Sequence, residues 1–524
     1  MLVASLIWIA VRLLLARDHL ESARTQLGVA RSALVDRDLT RAEKAIGRAG
    51  RDTATARSLT GDPVTWAWAH VPLAGRNVAV VRGLATGADD VVRDVLPPAL
   101  TTAREADPES LRRPDGSIDL AALQRISALV QPAAQKAAQV RRHVHALPES
   151  LLIPPVARGR ETFVAQLDQL TNTIQDAADA IRVSPEFLGA GGKKHWFVMV
   201  QQNGESRGTG GIIGGYAVLE AAHGKITVLR QGSNADLRDG SISTAGFAAD
   251  FRARYELDGG FAVWPNVNLS PDLPTVAKVI TAKWRAEGGG PIDGVLTIDA
   301  ESLAGLLQGG PPIRLDDGKA IASDSLVDYL NVGQYVGVPA DPTGLASRKD
   351  RLSGIAQQVL ARLTQGGGGS SRSLLTGVVK TLQSGHLHFA SNNAVLAPVL
   401  ARTGLDGALP RGPAPVAYAV VNNISGGKLD SFLDRSISYA GGSCSGKRRN
   451  TTIAVTLRSR VPGATTLPDY VTVREDETGS HQSATGRVLL EVYGTRGAVL
   501  RSATLNGLAV STVQGRTVTP LQRA

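Results

Sequence analysis

Apolar side chains recur three and four positions apart over residues 17–185, whereas beyond Trp196 they come in short runs separated by glycine and polar turns. Leu20, Leu27 and Leu34 repeat every seven residues with Ala23 and Ala30 between them, which predicts a helical seam made for a close neighbour. Gly61-Asp62-Pro63 breaks that pattern, and Trp66-Ala67-Trp68 with Pro72-Leu73-Ala74-Gly75 reads as a nonhelical elbow. Phe163, Leu167, Leu170, Ile174, Ala177 and Ile181 form a second stripe, expected to stop before Pro185. Residues 17–185 are therefore read as an antiparallel helical stalk that spaces and packs, with nothing in it that looks catalytic.

Strand-like runs follow at 196–200, 212–219, 226–230 and 293–298, with helical stretches at 274–286, 300–308, 350–363 and near 373–384. Such alternation argues for an α/β layered domain over 190–410. Gln365-Gly366-Gly367-Gly368-Gly369-Ser370 reads as a flexible insertion. After Pro410-Arg411-Gly412-Pro413, apolar runs at Ile453–Leu457, Val471–Val473, Val488–Val492 and Ala498–Ala503 predict a β-sandwich across 411–524. The fold class expected is α/β: helical stalk, central layered domain, β-rich tail.

The first residues, Leu2 to Ala16, are apolar except for Arg12. A spanning helix needs about 20 apolar residues, so this run is short, and no Ala-x-Ala cleavage site follows it. Two readings stand: a buried helix start, or the outer part of a single membrane anchor over residues 1–16, which the purity of the run favours.

Composition narrows the classes. Hydrophobic residues make up 43% and charged ones 20% of 524, as in folded globular proteins. The formal net charge of +10 suits anionic surfaces or acidic polymers. The basic residues are dispersed and no nucleic-acid-binding motif occurs, so nucleic acid is not expected as a partner. Cys444 stands alone, which excludes an intrachain disulfide and a cysteine-based zinc site.

Chemistry concentrates in Gln201-Gln202-Asn203-Gly204-Glu205-Ser206-Arg207-Gly208-Thr209-Gly210-Gly211. An arginine on a glycine-rich turn suits a phosphate-like anion, and the bland alternative pairs Arg207 with Glu205. Arg348, Lys349 and Arg351 cluster at a helix start, where they oppose the helix dipole unless an anion sits nearby. Asp236, Asp239, Asp272, Asp299, Asp316 and Asp317 offer hard oxygen ligands for magnesium. His386 and His388, two apart, read as surface residues. Gly-x-Ser-x-Gly, Walker and His-Glu-x-x-His motifs are absent.

The segments QQNGESRGTGGIIGGYAVLEAAHGKI, PNVNLSPDLPTVAKVITAKWRAEGGGPIDGVLTIDAESLAGLLQGGPPI, KLDSFLDRSISY and LPDYV resemble the bacterial family called domain of unknown function 4012. The resemblance implies a membrane-anchored protein with its bulk outside the cytoplasm. In order and spacing the main domain also looks like the LytR–CpsA–Psr enzymes, which move glycopolymers from a polyprenyl-pyrophosphate lipid to the cell wall. That likeness implies that Arg207, Arg238, Arg348, Lys349 and Arg351 bind the pyrophosphate, while Asp236 and Asp239 hold Mg2+ and serve catalysis. Where those enzymes carry an aspartate just after the first arginine, this chain has Gly208-Thr209, so binding of a lipid-linked glycan is better supported than its transfer. A noncatalytic structural or binding protein of the cell envelope is the alternative.

Overall fold

The computed structural model describes residues 2–36, 38–72, 75–105, 109–339, 341–365, 371–446, 448–462, 467–475 and 484–510. Two compact units divide the chain, Met1–Arg113 with Ile118–Pro185, and Pro114–Ser117 with Glu186–Ala524. The mixed α/β class is as expected: a helical region, then a five-stranded mixed sheet with helices, then small β sheets.

The helical unit comprises α1 (Leu2–Val35), α2 (Leu39–Thr60), α3 (Pro63–Ala69), α4 (Gly75–Asp90), a π-helical turn at Val91–Val95, α5 (Leu96–Glu105), α6 (Leu120–His145) and α7 (Pro154–Phe187). Ala23, Ala30 and Ala33 of α1 pack against Ala42, Ala45 and Ala49 of α2, all buried, so small side chains let the two helices approach closely. Leu34, expected in the seam, is exposed. The Asp38 carboxylate caps α2 by accepting the Arg41 N–H at 2.8 Å. The expected elbow is instead helical. Asp62 accepts N–H bonds from Val64 and Thr65, and Pro63 occupies the first helical position, so Trp66-Ala67-Trp68 lies within α3. Pro185 does not stop α7, which ends two residues beyond it at Phe187, so the lost N–H bond and the ring's crowding of the preceding turn fall on the helix's last turn. Among the described residues, no helix is long and apolar enough to cross a membrane.

The second unit opens with β1 (Lys194–Arg207), β2 (Gly210–Ala222) and β3 (Lys225–Ser233). Next come α8 (Ala249–Tyr255), α9 (Leu273–Ala286), β4 (Gly294–Ile298), α10 (Ala300–Leu306), β5 (Ile313–Arg314), β6 (Ala320–Ile321) and α11 (Leu326–Asn331). Then α12 (Pro342–Gln365), α13 (Ser371–Gln383), β7 (His388–Ser391) and α14 (Leu396–Thr403) complete the layered part. The sheet order is β3-β2-β1-β4-β7. Only β1 and β4 run parallel within it, in register from Trp196↔Gly294 to Val200↔Ile298. Trp196, Phe197, Val198 and Met199 are all buried, the continuous apolar run of a strand covered on both faces. Helix α9 supplies Val276, Val279, Ile280 and Trp284 to the cluster with Phe197 and Met199, while Trp196 packs on Phe187 and Phe389. Each such side chain contributes about 1.5–3 kcal/mol relative to exposure.

The tail holds β8 (Ala417–Asn423), β9 (Leu433–Ser445), β10 (Arg448–Ser459), β11 (Val488–Gly494), β12 (Thr504–Leu505) and β13 (Leu508–Ala509). Among the described residues these form three two-stranded sheets, β8–β11, β9–β10 and β12–β13, in place of a sandwich. Val471, expected in a strand, belongs to a helical turn at Asp469–Thr472, where it is buried in a cluster with Tyr335 and Leu429. No strand covers 498–503. The glycine stretch 366–369 lies outside the described residues.

Candidate functional site

The glycine-rich segment forms the end of the β1–β2 hairpin, with irregular pairing between Gln202 and Ser206. Two glycines there are required by contact: a Cβ on Gly208 would stand 2.2 Å from the Leu269 carbonyl oxygen, and one on Gly211 2.3 Å from that of Gln202. This close approach seats Arg207 among protein oxygens. Its Nε donates to the Pro265 carbonyl at 3.0 Å, its Nη1 to the carbonyls of Ser206 at 3.0 Å and Asn423 at 2.8 Å, and its Nη2 to Asn266 Oδ1 at 3.4 Å. Burial lowers the Arg207 pKa, with the Glu205 and Asp430 charges opposing. A guanidinium has five N–H donors, and four of these bonds already end on the protein.

Glu205 does not take Arg207 as partner. It binds Lys428 at 2.8 Å, and that ammonium lies over the Tyr470 ring at 4.8 Å. Next to it, the Ser206 N–H donates to Asp430 Oδ2 at 2.8 Å; burial raises the Asp430 pKa despite this bond. The expected bland pairing is thus replaced by a set of ties to residues more than 200 positions away.

The other expected anion ligands do not share partners with Arg207. Arg348 donates to Gln334 Oε1 at 3.0 Å and lies over the rings of Tyr335 and Tyr470 at 5.1 and 5.4 Å. Lys349 is exposed and Arg351 half-buried on the same helix, α12. Arg238 is exposed, and its backbone N–H binds Glu287 at 3.2 Å. The two proposed metal acids each accept a backbone N–H, Asp236 from its own turn and Asp239 from 25 positions along the chain. Asp236 Oδ2 accepts the Ser233 N–H at 2.7 Å and Asp239 Oδ1 accepts the Trp264 N–H at 2.7 Å. Among the described residues no group of three or more His, Cys, Asp or Glu could hold a metal ion. Both carboxylates are exposed, and each keeps one oxygen outside these bonds.

A cluster the sequence did not single out lies at the carboxyl ends of the parallel pair β1 and β4, the edge where α/β sheets commonly present polar groups to ligands. Asp299, directly after β4, is almost fully buried; its Oδ2 meets His386 Nδ1 at 2.6 Å and accepts Asn203 Nδ2 at 3.0 Å. Its Oδ1 accepts the Ser302 N–H at 2.8 Å and so caps α10. Burial opposes ionisation, but the His386 hydrogen bond and charge, with the Ser302 and Asn203 donors, outweigh it and hold the Asp299 carboxyl below its usual range. The same hydrogen bond raises the His386 pKa against its partial burial, and the Asp299 and Glu301 charges add to it. His386, expected as a plain surface residue, keeps a 36% exposed side chain but is anchored. An acid closing one strand and a histidine just before its neighbour were the available signal. Their pairing depended on β4 and β7 being adjacent, which the spacing did not reveal.

Residues 191–335 match the family model described as Protein of unknown function (DUF4012), so this segment is a domain of that family. It contains β1 to β4, Arg207, Arg238, Asp236, Asp239 and Asp299, and excludes Arg348 and His386. No curated protein matches the chain.

Proposed function

We propose that this chain is a noncatalytic structural or binding protein of the cell envelope, held at the membrane through its first helix with its bulk outside the cytoplasm. The observation that carries this reading is the engagement of Arg207 by the protein's own oxygens. Its guanidinium, which in a LytR–CpsA–Psr-like transferase would grip pyrophosphate, is occupied by three backbone carbonyls and an amide oxygen of the protein itself. Asp236 and Asp239 each also accept a backbone N–H group of the protein.

One observation favours a second reading, binding of a lipid-linked pyrophosphate: Arg348, Lys349 and Arg351 sit within one turn of α12. Titrating a short-chain polyprenyl pyrophosphate into the purified chain separates the two. The noncatalytic reading expects no saturable binding and no difference between the parent and the Arg348→Ala/Arg351→Ala pair. Saturable binding that disappears in this pair would replace it with the lipid-pyrophosphate reading.

A further inference from the structure

Three stretches of chain meet at one end of the helical unit. Trp68 Nε1 donates to Ser5 Oγ at 3.3 Å, which sets α3 beside the start of α1. A Cβ on Gly75 would stand 2.3 Å from the Trp68 carbonyl oxygen, so α4 begins hard against the end of α3. The loop before α7 is fastened to that first turn of α4. Arg76 Nη1 donates to Ser150 Oγ at 3.0 Å, and Asn77 donates to the Leu151 carbonyl at 3.4 Å while accepting the Ile153 N–H at 2.9 Å.

Clasped in this way, the loop turns apolar side chains outward. Leu151 is 65% and Ile153 54% exposed, with Trp66 and Val71 exposed at the same end. Leu151 is also held at φ 63°, the left-handed region that favours glycine. Packing within the chain accounts for neither its conformation nor its exposure. Charge is nearly absent. From Gly61 to Pro72 the only Asp, Glu, Lys or Arg is Asp62, which pairs with Arg12 at 3.3 Å, and from Ser150 to Ala157 there is none.

The backbone here is equally self-contained. A helix start ordinarily leaves four N–H groups unmet. Pro154 and Pro155 open α7 and have no N–H, Ile153 is bound by Asn77, and the N–H groups of Val156 and Ala157 both donate to the Ile153 carbonyl at 3.0 Å. Hydrocarbon makes that demand of any backbone entering it, because nothing there replaces water. A protein partner would bring donors and acceptors of its own and makes no such demand. Tryptophan at the rim suits the boundary between headgroups and acyl chains.

We propose that the Leu151–Ile153 loop, with Trp66 and Val71 at the same end, enters the interfacial layer of a lipid bilayer as a second contact beside α1. The proposal rests on the reading that the first helix holds the chain at a membrane, and it adds the surface that fixes how the helical unit stands there.

For the test, the single cysteine is replaced (Cys444→Ser) and a nitrobenzoxadiazole label is carried by Leu151→Cys or, for reference, by Ser32→Cys. Ser32 is exposed and lies about 36 Å along α1 from Trp8. The labelled full chain is mixed with phosphatidylcholine vesicles bearing nitroxides on their acyl chains. The label at 151 should shift to the blue and be quenched severalfold more strongly than the label at 32. Unlabelled Leu151→Asp/Ile153→Asp should bind vesicles at least about tenfold more weakly than the parent, with an unchanged thermal transition because both side chains are exposed. Leu151→Gly, suited to the left-handed backbone, should melt no lower than the parent and still bind more weakly.

Equal quenching at the two positions overturns the proposal, as does parent-like binding by the aspartate pair. A lower melting point for Leu151→Gly with unchanged binding would make Leu151 a packing residue and overturns it too. A blue shift at 151 that grows with protein concentration in the absence of vesicles places a second copy on the loop, with the same consequence. Vesicle binding that depends on Trp8 and Leu14 but not on the loop leaves the α1 attachment standing alone, whereas a parent chain that ignores the vesicles removes both.

Discussion

Arg207 holds three separate stretches of backbone together, at Ser206, Pro265 and Asn423, because a planar guanidinium can direct several N–H bonds at once. Lysine keeps the charge but not the fork. Arg207→Lys should therefore leave buried carbonyls unpaired and destabilise the sheet unit by about 2–4 kcal/mol in urea denaturation, since each unmet buried group costs about 1–3 kcal/mol. A variant as stable as the parent would show that these bonds contribute nothing net. The sequence displayed an arginine on a turn too tight for side chains at Gly208 and Gly211. It did not display the oxygens, two of which lie 58 and 216 positions away. His386 allows a pH prediction. Its pKa is raised in the fold, so its contribution is complete below the ordinary histidine value of about 6.5 and is lost as pH rises through the raised value. Asp299 is shifted down, so its contribution is present above its ordinary value of about 3.9 and is lost as pH falls through the lowered one. The pair is strongest between these limits. Thermal melts from about pH 5.5 to 8.5 should show the parent losing stability toward the alkaline end relative to His386→Gln; parallel profiles would exclude a stabilising ion pair.

Among the elements, α1 shows most clearly what periodicity can and cannot tell. Its alanine seam with α2 was readable, because small residues at seven-residue spacing need a close partner. The apolar run Leu2 to Ala16 was readable too, but not which of its side chains stay exposed. Ile7, Trp8, Val11, Leu14 and Leu15 are exposed along one side, and Trp66 is exposed on α3. Arg12, the one charge in the run, turns away to the Leu59 carbonyl at 2.8 Å and to Asp62 at 3.3 Å. An apolar face with tryptophan and with its cation already neutralised suits the boundary of a bilayer. Co-sedimentation with neutral phosphatidylcholine vesicles should capture the parent, and Trp8→Ser/Leu14→Asp should weaken binding at least tenfold. Two large apolar side chains contribute about 1.5–3 kcal/mol each on burial, and about 1.4 kcal/mol is tenfold. Equal sedimentation of both proteins would remove this face from the membrane. Strands β1, β2 and β4 were legible for the same kind of reason, as apolar runs bounded by turns. The tail was not: Val471 reads as strand by composition but packs as a helical turn, and short apolar runs do not distinguish the two.

At the scale of the molecule, the family segment 191–335 and the structural unit have different limits. The sheet needs β7 to cover the edge of β4, pairing Gly294 with Ser391 through Thr297 with His388. Glu205 needs Lys428, the Ser206 N–H needs Asp430, and Asp299 needs His386. Trp196 needs Phe389 against it. Every one of those partners comes after residue 335. Removing one member of a buried charge pair costs about 3–5 kcal/mol, and whole domains are stable by only about 5–15 kcal/mol. Losing the Glu205–Lys428 pair, the partly exposed Asp299–His386 pair and an edge strand together should exceed what the remaining core can offset. Residues 191–335 expressed alone should show no cooperative thermal transition and collapsed, broad amide resonances, whereas residues 186–510 should unfold cooperatively. Adding Lys428→Met to the longer chain tests the reasoning one tie at a time: the transition should persist but move down, because Glu205 would stay buried without its cation. A cooperative transition in 191–335 at the temperature of the longer chain would mean that the tail decorates the sheet rather than completing it.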